Sequence, residues 1–170
     1  MSADLQFRKD LVDLVPRLRR FAYSLCGSMP DADDLVQAAC ERALKSADQF
    51  QPGTRMEGWM FRIVQNLWLD QRRRARVRGD QVDPEDIGLS DQGRGASLPQ
   101  DRLMLEQTRA AMATLPEAQR AVLALVAIEG QSYRDAAETL GVPVGTVMSR
   151  LARARETLLP LLGLSKGPRQ

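Results

Sequence analysis

Arginines spaced along helical stretches are the most visible chemistry in this sequence. When residues 144–158 are placed on a wheel at ~100° per residue, Val147, Leu151, Ala154 and Leu158 share one arc and must face a core. The opposite arc carries Met148, Ser149, Ala152 and Arg153, with Gly145 and Glu156 beside it. Small side chains there let a helix backbone approach a nucleic-acid groove, and Arg153 can reach a phosphate or a guanine edge. Arg150 and Arg155 stand toward the flanks, where phosphate contacts fall. A second such face lies on a helix that the spacing predicts from Glu57 to Arg74. Met60, Phe61, Val64, Leu67 and Trp68 form its apolar arc, and Arg62, Asn66, Leu69, Asp70 and Arg73 lie across from them. Asparagine can make paired hydrogen bonds to a base edge, and arginine can hold phosphates. The aromatics Trp59, Phe61 and Trp68 read as core packing rather than as stacking platforms. An isolated basic helix also has a plain reading as a solvated amphipathic face, so the neighbouring elements must decide.

Those elements are helical throughout. Ala, Leu, Arg, Glu and Gln dominate, and alternation of the strand type is hard to find. Leu11, Leu14, Val15, Leu18, Phe21, Ala22 and Leu25 recur at helical spacing, with Pro16 expected to start or kink a helix. Gly27, Ser28 and Pro30 break the chain. Asp31, Asp33 and Asp34 then occupy the first turn of a helix whose buried stripe is Leu35, Val36, Ala39, Ala43 and Leu44. After residue 100 the pattern predicts helices over about 103–113, 117–128, 133–140 and 145–159. Gly141-Val142-Pro143 joins the last two, the arrangement of a helix-turn-helix. The fold class expected is all-α: two small helical domains joined by a flexible linker, the second a four-helix domain with a helix-turn-helix. Residues 79–100 form that linker, rich in Gly, Pro and acids and poor in apolar side chains. The domains are 1–78 and 101–170.

Composition excludes more than it names. The net charge of +2 does not by itself prove a nucleic-acid partner, but Arg72, Arg73, Arg74, Arg76 and Arg78 crowd into seven positions before the acidic segment. Histidine is absent and the cysteines are two, Cys26 and Cys40, without CxxC spacing. No metal site, cofactor site or enzyme constellation is expected, and the thiols read as reduced and buried. No apolar run of ~18 residues and no signal-peptide pattern is found. A cytoplasmic protein without membrane insertion or small-molecule substrate is expected.

Three motifs then carry a resemblance. Asp31-Ala-Asp-Asp-Leu-Val-Gln37, Trp59-Met-Phe-Arg-Ile-Val-Gln-Asn66 and Gly145-Thr-Val-Met-Ser-Arg-Leu-Ala-Arg153 resemble the extracytoplasmic-function (group 4) sigma factors of the sigma-70 family. The resemblance covers nearly the whole chain outside the linker and the termini. It implies that Asp34, Leu35, Gln37 and Glu41 dock on the clamp helices of the polymerase β′ subunit, with the β flap a further core contact. It also implies that the loop Phe50 to Arg55, together with Arg62, Asn66, Arg72, Arg73 and Arg74, contacts the −10 element. Thr146, Met148, Ser149, Arg150, Ala152 and Arg153 would face the −35 duplex. The implied partners are core RNA polymerase, promoter DNA and an anti-sigma factor. Two positions depart from the family pattern: Ala38 stands where many members have Glu, and Met148 where many have Arg or Lys. A decoy that binds only an anti-sigma protein and a stand-alone helix-turn-helix repressor are the rival readings.

Overall fold

The computed structural model describes residues 3–51, 53–79 and 99–164. Apart from Gly79, Pro99 and Gln100, the expected linker lies outside them, as does Pro52. Helix α1 spans Ala3–Cys26. Its residues Leu11, Leu18, Phe21, Ala22 and Leu25, three, four or seven apart, are buried, as one face of a 3.6-residue helix requires. Gly27 ends it in the left-handed region at φ 72°, where a side chain would be strained. Ser28 then caps α2, Met29–Lys45, by accepting a hydrogen bond from the Asp31 N–H at 3.4 Å. Ala32, Ala39 and Ala43 on α2 are fully buried; their methyl groups let α1 and α3 pack closely on this helix. A 3-10 turn, Ala47–Gln49, leads toward α3, Met56–Arg78, which Gly79 closes at φ 74°.

The remaining helices form a second group: α4 Pro99–Ala113, α5 Glu117–Leu123, α6 Tyr133–Leu140 and α7 Val144–Leu161. Val122, Leu125, Ala136, Val147, Leu151 and Ala154 are its buried centre. A π turn, Ala124–Ile128, extends α5, with the Glu129 N–H donating to the Ala124 carbonyl at 2.9 Å. Ser132 caps α6 through the Asp135 N–H at 3.0 Å, and Gly141 ends it at φ 65°. Pro143 follows as the cap residue of α7. Its fixed φ presets the turn of the helix-turn-helix.

Several expectations are corrected in detail. α1 does not start at Pro16; the proline is exposed and lies inside the helix. The Val12 carbonyl that loses its donor there belongs to a residue 66% exposed, where water can serve it. Leu44 is 42% exposed, because the core position on α2 belongs to Ala43 and the next residue turns away. α3 runs four residues beyond Arg74, and α4 begins at Pro99. A proline suits a first helical turn, which has no partner for its missing N–H. α7 continues through Pro160.

The two helical groups also touch, α3 lying against α6 and α1 against α5. Composition and periodicity give no warning of this closure.

Candidate nucleic-acid interface

The face expected on α7 is built as the wheel requires. Val147, Leu151, Ala154 and Leu158 are at most 8% exposed, while Met148, Ser149, Ala152 and Arg153 face solvent. Ser149 Oγ donates to the Thr146 carbonyl at 3.1 Å, holding its own hydroxyl against the helix. Thr146 and Arg150 are half-buried at the edges of the face. A continuous strip of small, polar and cationic side chains is thus presented by a rigid helix.

The second surface surrounds the start of α3. Phe50 packs on Phe7 and Trp59, with ring centroids 5.7 and 5.3 Å away, which pins the loop Phe50 to Arg55 to the bundle. A cleft of about 610 Å³ opens beside this loop, lined by Gly53, Arg55, Trp59 and Arg62 on one side and Asp135 and Glu138 on the other. Arg55 Nη1 lies 2.8 Å from Asp135 Oδ2, and Arg62 Nη2 donates to the Glu138 carbonyl at 2.5 Å. A hydrogen bond from the Ser132 hydroxyl to the carboxylate, followed by the Arg55 guanidinium, holds the Asp135 carboxyl below its usual range. Asn66 opens onto a separate hollow of about 340 Å³, together with Arg42, Asp70 and Arg73. Arg73 pairs loosely with Asp70 at 3.8 Å, and Arg74 is exposed. Arg72 stacks over the Trp68 ring at 5.7 Å and forms an ion pair with Glu117 at 3.3 Å, without hydrogen-bond geometry at Nε. The polar residues expected at this edge therefore divide between Asn66, Arg73 and Arg74, which face outward, and Arg55, Arg62 and Arg72, which the second group engages.

On α2, Asp34, Gln37 and Glu41 share the solvent side, with Gln37 Nε2 donating to Glu41 Oε1 at 3.2 Å. Leu35 does not belong with them. It is 1% exposed and packs in the core, so its side chain cannot reach a partner.

The set that sequence reasoning missed lies between the two groups. The Glu129 carboxylate is fully buried and accepts from Arg17 Nε at 2.9 Å and from Arg20 Nε at 3.1 Å. Arg17 also reaches the Glu129 carbonyl and Glu57 Oε1, each at 2.8 Å. The Glu57 hydrogen bond is the main reason its pKa rises, and it outweighs the cost of burial. Arg120 is 3% exposed and donates through Nη2 to the Leu25 carbonyl at the end of α1, while its Nε and Nη1 have no partner. Burial lowers its pKa. One signal was available: Glu129 sits at a helix C-terminus, where the dipole disfavours an acid, so it needed a cation from elsewhere.

Neither thiol is poised for chemistry. Cys26 donates to the Ala22 carbonyl at 2.9 Å, and burial pushes its pKa up to about 11. Burial raises that of Cys40 as well.

Comparison with known proteins decides what these surfaces belong to. Residues 11–78 match the model for Sigma-70 region 2, and residues 105–158 match that for Sigma-70, region 4. The ECF RNA polymerase sigma factor EcfG of Rhodopseudomonas palustris is 42% identical over 155 residues, 91% of this chain and 84% of that protein. The chain belongs to the ECF RNA polymerase sigma factors. A second relative, the ECF sigma factor SigE of Mycolicibacterium smegmatis, is 41% identical over 84% of this chain and 56% of its own length. Among solved structures, the sigma factor RpoE of Bartonella quintana, in complex with the anti-sigma factor NepR, matches with a TM-score of 0.78 at 31% identity. It covers 95% of this chain and 99% of that one. A sigma factor is a transcription initiation factor that serves RNA polymerase at promoters. Among the described residues of this one, no helix is long and apolar enough to cross a membrane.

Proposed function

We propose that this sigma factor docks on core RNA polymerase through Asp34, Gln37 and Glu41 of α2, which would meet the β′ clamp helices. In this reading residues 101–170 sit near the β flap and set Met148, Ser149, Ala152 and Arg153 in the −35 major groove, with Thr146 and Arg150 supporting. Residues 1–78 read the −10 element through the loop Phe50 to Arg55 and through Arg62, Asn66, Arg72, Arg73 and Arg74. The segment 79–100 connects the two. The protein does no bond chemistry; it supplies promoter address and strand capture, and polymerase supplies catalysis. Control by an anti-sigma factor is supported by the likeness to a sigma factor held by NepR.

The observation that carries the reading is the α7 face: four exposed groove-compatible side chains directly opposite four buried ones. A stand-alone repressor would bind DNA unaided, whereas two small basic faces at a net charge of +2 support only weak, salt-sensitive binding without polymerase. Sequencing the DNA retained by this factor with core polymerase tests the proposal. Enrichment of paired elements at −35 and −10, with promoter-specific transcripts in vitro, is expected. Binding of a palindrome without polymerase would overturn it.

A further inference from the structure

Three aromatic rings from three parts of the first domain meet at one point. Phe7 comes from the second turn of α1, Phe50 from the start of the loop that runs to Arg55, and Trp59 from the first turn of α3. Phe7 is 9% exposed; its ring lies 5.7 Å from Phe50 and meets Trp59 edge-on at 6.1 Å, while Phe50 and Trp59 are 5.3 Å apart. Each ring is thus within packing distance of the other two.

The loop has few other attachments to the first domain. Gln51, Gly53, Thr54 and Arg55 are exposed, and Arg55 reaches away to Asp135 of the second group. Thr54 closes back on the Gln51 carbonyl through its N–H at 3.1 Å and its Oγ1 at 2.7 Å. Those bonds shape the loop without tying it to a helix. Among the described residues of the loop, Phe50 alone carries an apolar side chain, and it is half-buried. The pose of the loop therefore depends on what encloses Phe50: Trp59 from α3 on one side and Phe7 from α1 on another. Phe7 stands outside the segment matched to Sigma-70 region 2, which begins at residue 11. The turns of α1 that carry it are braced by Asp4 with Arg8 at 3.1 Å and by Gln6 with Asp10 at 2.6 Å, each a pair four residues apart on one helix face.

We propose that Phe7 is a positioning residue for promoter recognition: packed against Phe50 and Trp59, it fixes the pose in which the loop Phe50 to Arg55 receives an unpaired base. Arg73 and Arg74 are exposed on α3 and can take phosphates whether or not the loop is fixed. Phosphate contacts carry no sequence information, so that part of binding survives loss of the ring and the base-selective part does not. A loop ordered only on binding lowers the affinity for the right base by the entropy it then loses. The proposal rests on the −10 assignment of this loop.

The test uses reconstituted holoenzyme and a fluorescent single strand carrying the −10 element found by the sequencing above, beside the same strand with one −10 base replaced. Anisotropy reads both affinities. Phe7→Ala should weaken binding of the matching strand about ten-fold and of the replaced strand about two-fold, so selectivity falls about five-fold. Phe7→Leu keeps the apolar bulk without the ring; it should fold as the parent does and lie between Phe7→Ala and the parent in selectivity. Both variants should bind core polymerase as the parent does. Leu25→Val, fully buried at the far end of α1, loosens the core away from the loop and should leave selectivity unchanged. Three results would each overturn the proposal: parental selectivity in both Phe7 variants, equal weakening of the two strands, or a loss in Leu25→Val as large as in Phe7→Ala. Thr54→Ala combined with Arg55→Ala separates the proposal from the reading beneath it. If that double variant keeps the parental selectivity, the −10 assignment of the loop has failed; if it loses selectivity while the Phe7 variants do not, the positioning role alone has failed.

Discussion

The rings of Phe21 and Phe61 meet edge to face, centroids 5.2 Å apart at 83°, and each is at most 1% exposed. This pair joins α1 to α3 beneath the surface that carries Arg62. Arg17 lies over the same Phe61 ring at 5.7 Å, so this core also seats the guanidinium that pairs with Glu129. Phe61→Ala should cost about 3–5 kcal/mol, the range for emptying a buried aromatic site. Chemical denaturation of the full chain measures it, and a loss below 1 kcal/mol would show that this contact is not central.

Ser132→Ala removes the hydroxyl that caps α6 and should cost about 1 kcal/mol. It also removes the main stabiliser of the Asp135 carboxylate. A carboxyl whose folded pKa is depressed adds stability above its unfolded value of 3.8, and that stability is lost as the pH falls below it. The variant should therefore lose stability at neutral pH and show a shallower decline on acidification than the parent, read by thermal melts from pH 7 to 3.

Arg153→Ala should weaken transcription from a −35-dependent promoter by about ten-fold or more, since a base or phosphate contact is worth about 1–3 kcal/mol. Binding to core polymerase should stay unchanged, because Arg153 lies on the exposed arc proposed to face the groove. Arg155→Ala, at the flank, should lower affinity evenly across promoter sequences, which a competition assay with randomised −35 elements separates from loss of specificity.

Cys26 should react slowly with thiol reagents at pH 8. With a pKa of about 11 against a reference of 9.0, its thiolate fraction falls roughly a hundred-fold by the definition of the shift. A thiol pKa raised by folding contributes stability that is complete below pH 9 and is lost as the pH climbs toward 11. Mass spectrometry after timed alkylation, native and denatured, measures the contrast; equal rates would refute it.

Much of the fold was legible because helical periodicity reports burial directly. The arcs Val147–Leu158 on α7 and Met60–Val64 on α3 follow from spacing alone, as does the helix over Tyr133–Leu140 with its Gly141 end. Pro16 sits inside α1 rather than at its start, and the carbonyl it orphans belongs to an exposed residue, which is a tertiary fact. Leu35 was assigned to the docking surface by resemblance, although its neighbours on α2 already placed it in the core stripe. The closure of the domains could not be read at all. Ion pairs such as Arg17–Glu129, 112 residues apart, leave no local pattern, and the charges that form them look like solvated surface.

The π turn at Ala124–Ile128 holds one residue more than an α turn spanning the same rise. Deleting a residue there would let α5 continue regularly and swing the following side chains by roughly 100° about the axis. Glu129 would then point away from Arg17 and Arg20, with every charge in the chain still present. The pairing of Glu129 with α1 is in this sense a matter of phase: a single-residue insertion or deletion in an apolar stretch that carries no charge would undo it.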